Sequence, residues 1–179
     1  MTKMNLSAPL PFVGQKRMFA KEFIKVLEQF PDDTVFVDLF GGSGLLSHIT
    51  KRMKPTSTVV YNDFDNYRFR LAHIPHTNKL LADIRTLVGD SVPKHKAIKG
   101  KLRECVLKRI EEEEASVGYV DFITLSSSLM FSMKYKLSVE EMSKEVLYNN
   151  IRKNGYPESL DYLEGLEIVS CDYKEVYNQ

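Results

Sequence analysis

Three clusters in this chain have the residue types and spacing to hold a small ligand. The first is Asp38-Leu39-Phe40-Gly41-Gly42-Ser43-Gly44, directly behind the apolar run Thr34-Val35-Phe36-Val37. Glycines let a backbone approach a ligand closely, and a helix opening behind them offers unpartnered N–H groups. The pattern is Phe-x-Gly-x-Gly with Phe40, Gly42 and Gly44, not the Gly-x-Gly-x-x-Gly of dinucleotide binders. No lysine follows the last glycine, as a phosphate loop would require. Such a turn suits a nucleoside with a small zwitterionic tail better than a pyrophosphate. A strand-to-helix turn of purely geometric purpose is the plainer alternative.

The second cluster, Asn62-Asp63-Phe64-Asp65, ends the β-rich run Ser57-Thr58-Val59-Val60-Tyr61. An acidic residue about twenty positions past a glycine turn is placed to accept hydrogen bonds from ribose hydroxyls. Phe64 can lie against the face of a base. For Asp63 or Asp65 the plainer alternative is a solvated turn or a helix N-cap. With the glycine turn upstream, the ribose role is assigned to Asp63. The third cluster is Pro11-Phe12-Val13-Gly14-Gln15-Lys16-Arg17, where Phe12 can cover an aromatic ring and Lys16 can pair with a carboxylate. A basic first turn opposes the helix dipole, which makes a partner anion worth considering there.

The elements that must position these clusters follow from periodicity. Met18, Phe19, Phe23, Ile24, Leu27 and Phe30 recur at helical spacing, and Leu45 to Met53 reads as the helix behind the glycine turn. Strands are expected near Val35–Leu39, Thr58–Tyr61 and Glu167–Ser170. The fold class is therefore α/β, an incomplete parallel sheet carrying a helical insert. Its ligand belongs at the carboxyl ends of the strands, where the glycine turn lies.

Taken in order and spacing, Pro-Phe-Val-Gly-Gln-Lys-Arg, Asp-Leu-Phe-Gly-Gly-Ser-Gly and Tyr-Asn-Asp-Phe-Asp resemble the start of a Dam-type (D12 class) adenine-specific DNA methyltransferase. Leu166-Glu167-Ile168-Val169-Ser170-Cys171-Asp172-Tyr173 resembles, more weakly, the third strand of that family and the residues bordering the cofactor's adenine. The resemblance implies a Rossmann-like S-adenosylmethionine-dependent methyltransferase fold. It implies that Phe12 and Lys16 hold the methionine end of the cofactor, with Asp38, Phe40, Gly42 and Gly44 forming the turn beneath it. Asp63 would bind the ribose and Phe64 would lie beside the adenine. Asp172 and Tyr173 would close the pocket. Residues 1–70 and 163–179 would then form the cofactor-binding portion, and 71–162 a helical insert that recognises DNA. The partner implied is double-stranded DNA with a flipped adenine as substrate.

The family's catalytic motif is Asp-Pro-Pro-Tyr, whose polar oxygens hold the adenine amine and whose ring stacks on the flipped base. This chain has no two adjacent prolines. No catalytic residue is therefore assigned. The expectation is the cofactor half of a truncated or split adenine methyltransferase, with weak or no methyl transfer by this chain alone. The alternative is a non-catalytic DNA- or protein-binding relative. Without the strands that flank the first strand in the full fold, its open edge predicts self-association or a second polypeptide that completes the sheet.

Lys and Arg number 25 against 24 Asp and Glu, so no global basic field announces nucleic acid. A soluble cytoplasmic domain is expected: no apolar run approaches the ~18–20 residues of a membrane span, and Met1 to Pro11 lacks a signal-peptide core. Cys105 and Cys171 lie far apart without metal spacing, and none of the four histidines has a partner pattern for metal or nucleophilic chemistry. Within the insert, the basic stretch Lys94 to Arg103 reads as a solvated linker into a charged helix, with phosphate contact as the alternative. The acidic run Glu111 to Glu114 is expected to face solvent. Tyr119 to Met133 reads as an apolar helix around Ser126-Ser127-Ser128, either beginning the DNA-reading insert or simply buried. Ser132 to Lys136 mixes cations with a ring, a composition suited to backbone contact and stacking. Ser138-Val139-Glu140-Glu141 reads as a capping box for a helix running to about Asn154.

Overall fold

The computed structural model describes residues 4–131, 135–159 and 161–177. After a 3-10 turn at Lys16–Phe19, the elements in chain order are α1 (Ala20–Leu27), β1 (Phe36–Asp38), α2 (Leu45–Met53), β2 (Val59–Asn62), α3 (Tyr67–Ala72) and α4 (Ile74–Val88). They continue as β3 (Ala97–Ile98), α5 (Gly100–Val117), α6 (Phe122–Leu129), α7 (Val139–Ser143), β4 (Leu147–Tyr148), β5 (Glu167–Val169) and α8 (Tyr173–Tyr177). The chain divides into two compact units, residues 1–72 with 158–179, and residues 73–157.

The first unit is built on a parallel sheet of order β1-β2-β5. Phe36 pairs with Val59 and Asp38 with Tyr61, while Tyr61 pairs with Ile168. One face of the sheet packs on α1 and α2, where Ala20, Leu27, Leu45 and Ile49 form the core and Phe23, Ile24, Phe36 and Met53 pack against it. Period-two alternation sends Val35 and Val37 the other way, and they stay 64% and 51% exposed. The first helix is shorter than its apolar spacing suggests. Met18 and Phe19 fall in the 3-10 turn and remain exposed.

The second unit pairs α4 with α5 through Leu80, Leu81, Ile84, Val106 and Ile110, all buried. Arg109 on α5 donates to Asp83 on α4 at 2.8 Å and to Glu113 at 2.6 Å. Glu113 is therefore buried within the acidic run, while Glu111, Glu112 and Glu114 are exposed as expected. α5 ends on Gly118 in the left-handed region (φ +74°), a helix stop that favours glycine.

Three expectations for this unit require correction. The capping box at Ser138 is present, since Ser138 Oγ accepts from the Glu141 N–H at 3.2 Å, but α7 ends at Ser143 and not near Asn154. Leu147–Tyr148 instead pairs antiparallel with Ala97–Ile98. Within the basic stretch Lys94 to Arg103, Ala97–Ile98 is for the same reason a ribbon strand, and the charged helix expected beyond it is α5, from Gly100. The helix expected over Tyr119–Met133 is confined to Phe122–Leu129, started by the Asp121 carboxylate accepting from the Thr124 N–H at 3.0 Å and stopped by extended backbone at Met130. Ser126 and Ser128 are buried inside it, and Ser128 Oγ donates to the Thr124 carbonyl at 2.9 Å. Residues 132–134 of the mixed cationic and aromatic stretch lie outside the described residues.

Candidate cofactor cavity

The three parallel strands end on the same side of the first unit, and the turn from β1 to α2 lies there. Its backbone is set by glycines with positive φ, Gly42 at +51° and Gly44 at +66°, and by the Gly44 N–H donating to the Gly41 carbonyl at 2.8 Å. The tightest position is Gly41. A Cβ there would stand 2.2 Å from Tyr61 Cε2 and 2.8 Å from the Asn62 carbonyl, so the turn lies directly on the end of β2. At Gly42 a Cβ would meet Phe12 Cε1 at 3.0 Å.

A cavity of about 290 Å³ opens between this turn, the segment ahead of α1 and the ends of β2 and β5. Phe12, Val13, Gly14 and Lys16 line one side, and Leu39, Phe40, Gly41 and Gly42 another. Asn62, Phe64, Asp65, Asp172 and Tyr173 complete the wall. Phe40 and Phe64 are 65% and 66% exposed, so their rings stand at the rim free to cover a flat ligand. The Phe40 and Tyr173 rings lie 5.3 Å apart between centroids. Lys16 donates to the Phe40 carbonyl at 2.8 Å, and an ammonium has two further protons to offer.

Of the residues singled out from the sequence, Phe12, Lys16, Phe40, Gly42, Phe64, Asp172 and Tyr173 thus meet around one cavity. Asp38, Gly44 and Asp63 do not line it. Asp38 accepts from Ser47 Oγ at 2.7 Å and so ties the end of β1 to α2. Gly44 starts α2, packed where a Cβ would meet Leu163 Cδ2 at 2.9 Å. Asp172 accepts from the Lys174 N–H at 2.9 Å and remains exposed.

Asp63, given the ribose role above, is an acceptor within the fold. It is 3% exposed, and both carboxylate oxygens are engaged. Oδ1 accepts from the Tyr67 N–H at 2.6 Å, and Oδ2 from the Arg68 N–H at 2.9 Å. These bonds cover the first two free amides of α3 from a position three residues ahead of its N-cap, Asn66. The buried Tyr61 hydroxyl stands 2.9 Å from Asp63 Oδ1 and 2.7 Å from the Gly42 carbonyl. Burial, reinforced by the Asp63 charge, pushes that phenol's pKa well up, so it stays a donor. Two carboxylates do line the cavity, Asp172 and, two residues beyond Asp63, the exposed Asp65.

Asn62 went unnoticed in the sequence. Its side-chain amide donates to the carbonyls of Leu39 (3.1 Å) and Cys171 (3.0 Å), and its oxygen accepts from the Cys171 N–H (3.2 Å). One buried side chain therefore pins the residues after β1 and β5 to the end of β2. An Asn before an acidic turn is common, so only its partners reveal the role. Cys105 and Cys171 are free thiols, and no group of acidic, histidine or cysteine residues among the described residues could hold a metal.

Comparison with known proteins agrees with this geometry. A protein of Haemophilus influenzae named "Putative methyltransferase" is 41% identical over 173 residues, covering 94% of this chain. The chain spans 57% of that relative's length. No solved structure matches at a significant level. The family profile of the D12 class N6 adenine-specific DNA methyltransferases matches residues 12–146, a span that begins at the cavity residue Phe12 and takes in the glycine turn and Asp65. The chain belongs to the D12 class N6 adenine-specific DNA methyltransferase family.

Proposed function

We propose that this chain is the S-adenosylmethionine-binding half of an enzyme that methylates the exocyclic amine of adenine in double-stranded DNA. The observation that carries the reading is the cavity itself. Aromatic rings, one ammonium and the carboxylates of Asp65 and Asp172 converge at the strand ends, beneath a turn whose glycines leave little room for side chains. That set fits a nucleoside with a zwitterionic tail. Its volume sits near the lower end of the roughly 300–1,000 Å³ usual for small-molecule sites. When bound, S-adenosylmethionine would supply an electrophilic methyl group. Lys16 would pair with its carboxylate, Phe12 would cover the same end, Asp65 would accept from the ribose hydroxyls, and Phe64 with Tyr173 would flank the base.

The chain's own residues do not include the Asp-Pro-Pro-Tyr motif that would hold the target amine. In this reading a segment outside these residues, or a second polypeptide, supplies it, and this chain alone transfers methyl groups weakly or not at all. The ribbon of β3 and β4 with the exposed Lys96, Lys99 and Lys101 would contact DNA phosphates. Action on chromosomal DNA implies a cytoplasmic protein. No helix among the described residues is long and apolar enough to cross a membrane.

Calorimetric titration with S-adenosylmethionine tests the cofactor reading. Wild type is expected to bind, and Asp65→Ala to weaken binding by about tenfold or more, the worth of a hydrogen bond to a charged group. A folded wild type that does not bind, or an Asp65→Ala variant that binds equally well, would refute the assignment.

A further inference from the structure

We propose that Tyr67 is a positioning residue that clasps the segment ahead of α1 and so holds one wall of the cavity in place. The inference rests on the cavity being the S-adenosylmethionine site. Residues 4–15 form no helix or strand, yet they carry Phe12 and lead into Lys16. A segment without helix or strand has few backbone bonds of its own and holds its place only where other groups tie it down. Here side chains from the body of the unit tie it. The Leu10 N–H donates to the Tyr67 hydroxyl at 3.0 Å, and that hydroxyl donates back to the Leu10 carbonyl at 3.2 Å. Arg70, one turn further along α3, donates to the Pro11 carbonyl at 2.8 Å. The Phe12 ring then rests edge-on against the Tyr67 ring, with centroids 5.7 Å apart.

Tyr67 is itself placed by Asp63, which accepts its backbone N–H. The Tyr61 hydroxyl lies between Asp63 Oδ1 at 2.9 Å and the Gly42 carbonyl at 2.7 Å, its single proton shared between the two acceptors. Phe12 returns to Gly42, standing where a Cβ on that glycine would meet its ring at 3.0 Å. The contacts therefore form a closed ring: Gly42, Tyr61, Asp63, Tyr67, Leu10, Phe12 and back to Gly42. Tyr67 is fully buried and does not line the cavity, so it acts on a ligand only through the segment it holds. Phe12 and the glycine turn face each other in register because this ring fixes the distance between their backbones.

Tyr67→Phe removes the hydroxyl and keeps the ring. Hydrogen exchange on the full chain is expected to show faster exchange of the Leu10 amide with the β2 amides unchanged. The dissociation constant for S-adenosylmethionine should rise about three- to tenfold, the worth of a neutral hydrogen bond. Phe12→Ala should weaken binding in the same direction. The double variant should be weaker than wild type by clearly less than the product of the two effects, since both act on one wall. In the unmutated chain, saturating cofactor should slow exchange at Leu10, because ligand and clasp favour the same state. Unchanged affinity in Tyr67→Phe, independent effects in the double variant, or cofactor-insensitive exchange at Leu10 would each overturn the clasp. Failure of wild type to bind would overturn the cofactor reading first, a separate outcome.

Discussion

At the scale of single residues, the two acidic side chains of Asn62-Asp63-Phe64-Asp65 divide their labour by burial. Asp63 is enclosed with three donors around it, and Asp65 is exposed at the cavity. The consequence is measurable without any ligand. Asp63→Ala leaves the Tyr67 and Arg68 N–H groups at the start of α3 without their acceptor, which should cost about 1–3 kcal/mol in denaturant unfolding. Asp65→Ala should stay within about 0.5 kcal/mol of wild type, as an exposed substitution does. A reversed pattern would mean that Asp63 is the ligand-facing group. Cofactor binding lost on Asp63→Ala would not by itself prove ribose contact, since that variant also disturbs the start of α3. In the glycine turn both Gly41 and Gly42 border the cavity, and Gly41 is needed in addition because the Tyr61 ring occupies the space of its Cβ.

At the scale of elements, α2 carries a histidine whose role is structural and pH-dependent. His48 is buried and stacks on the Tyr162 ring at 4.5 Å. Its Nδ1 lies 2.7 Å from the Tyr162 carbonyl, which can only accept, so Nδ1 carries the proton. Nε2 is then the acceptor for the Asn5 N–H at 3.0 Å. Burial lowers the His48 pKa from its ordinary 6.5, and the Arg52 charge lowers it further against opposing contributions from the Tyr162 carbonyl and Asp161. A depressed value in the folded state means that the unfolded chain takes up the proton first. The stability associated with neutral His48 is fully present above pH 6.5 and is lost as the pH falls from there to the folded-state value. Melting temperature should drop over that interval, and His48→Gln should flatten the drop. An unchanged profile in His48→Gln would place the titration elsewhere.

Across the whole molecule, the parallel sheet has one covered face and one open face. Parallel sheets are almost always covered on both. Val35 and Val37 are exposed on the open face, and β1 is an edge strand of the sheet. We expect the purified chain to associate with itself, or to be stable only with a second polypeptide that completes the sheet. Size exclusion with light scattering checks this, and Val37→Lys should shift an associating sample toward monomer. A stable, monodisperse wild-type monomer would refute the expectation.

Much of the site was legible because its chemistry is local. Val35 to Gly44 spells strand, turn and helix in consecutive residues, so backbone geometry and turn type follow from residue identity alone. Asn62 to Asp65 likewise announced an acidic turn at a strand end. Its two possible readings could not be separated there, because ribose acceptor and N-cap call for the same residue type at the same place. Burial decided that Asp63 accepts from the start of α3 and Asp65 faces the cavity. The pairing of Leu147–Tyr148 with Ala97–Ile98 was hidden for another reason: each strand is two residues long, and its partner lies about fifty residues away. The Tyr67 clasp is of the same kind, with a separation of 57 residues between Leu10 and Tyr67. Sequence by itself determined the strand, glycine turn and helix from Phe36 to Met53. Only the tertiary structure decided which side chains line the cavity and which hold its walls, because that depends on partners brought together from distant parts of the chain.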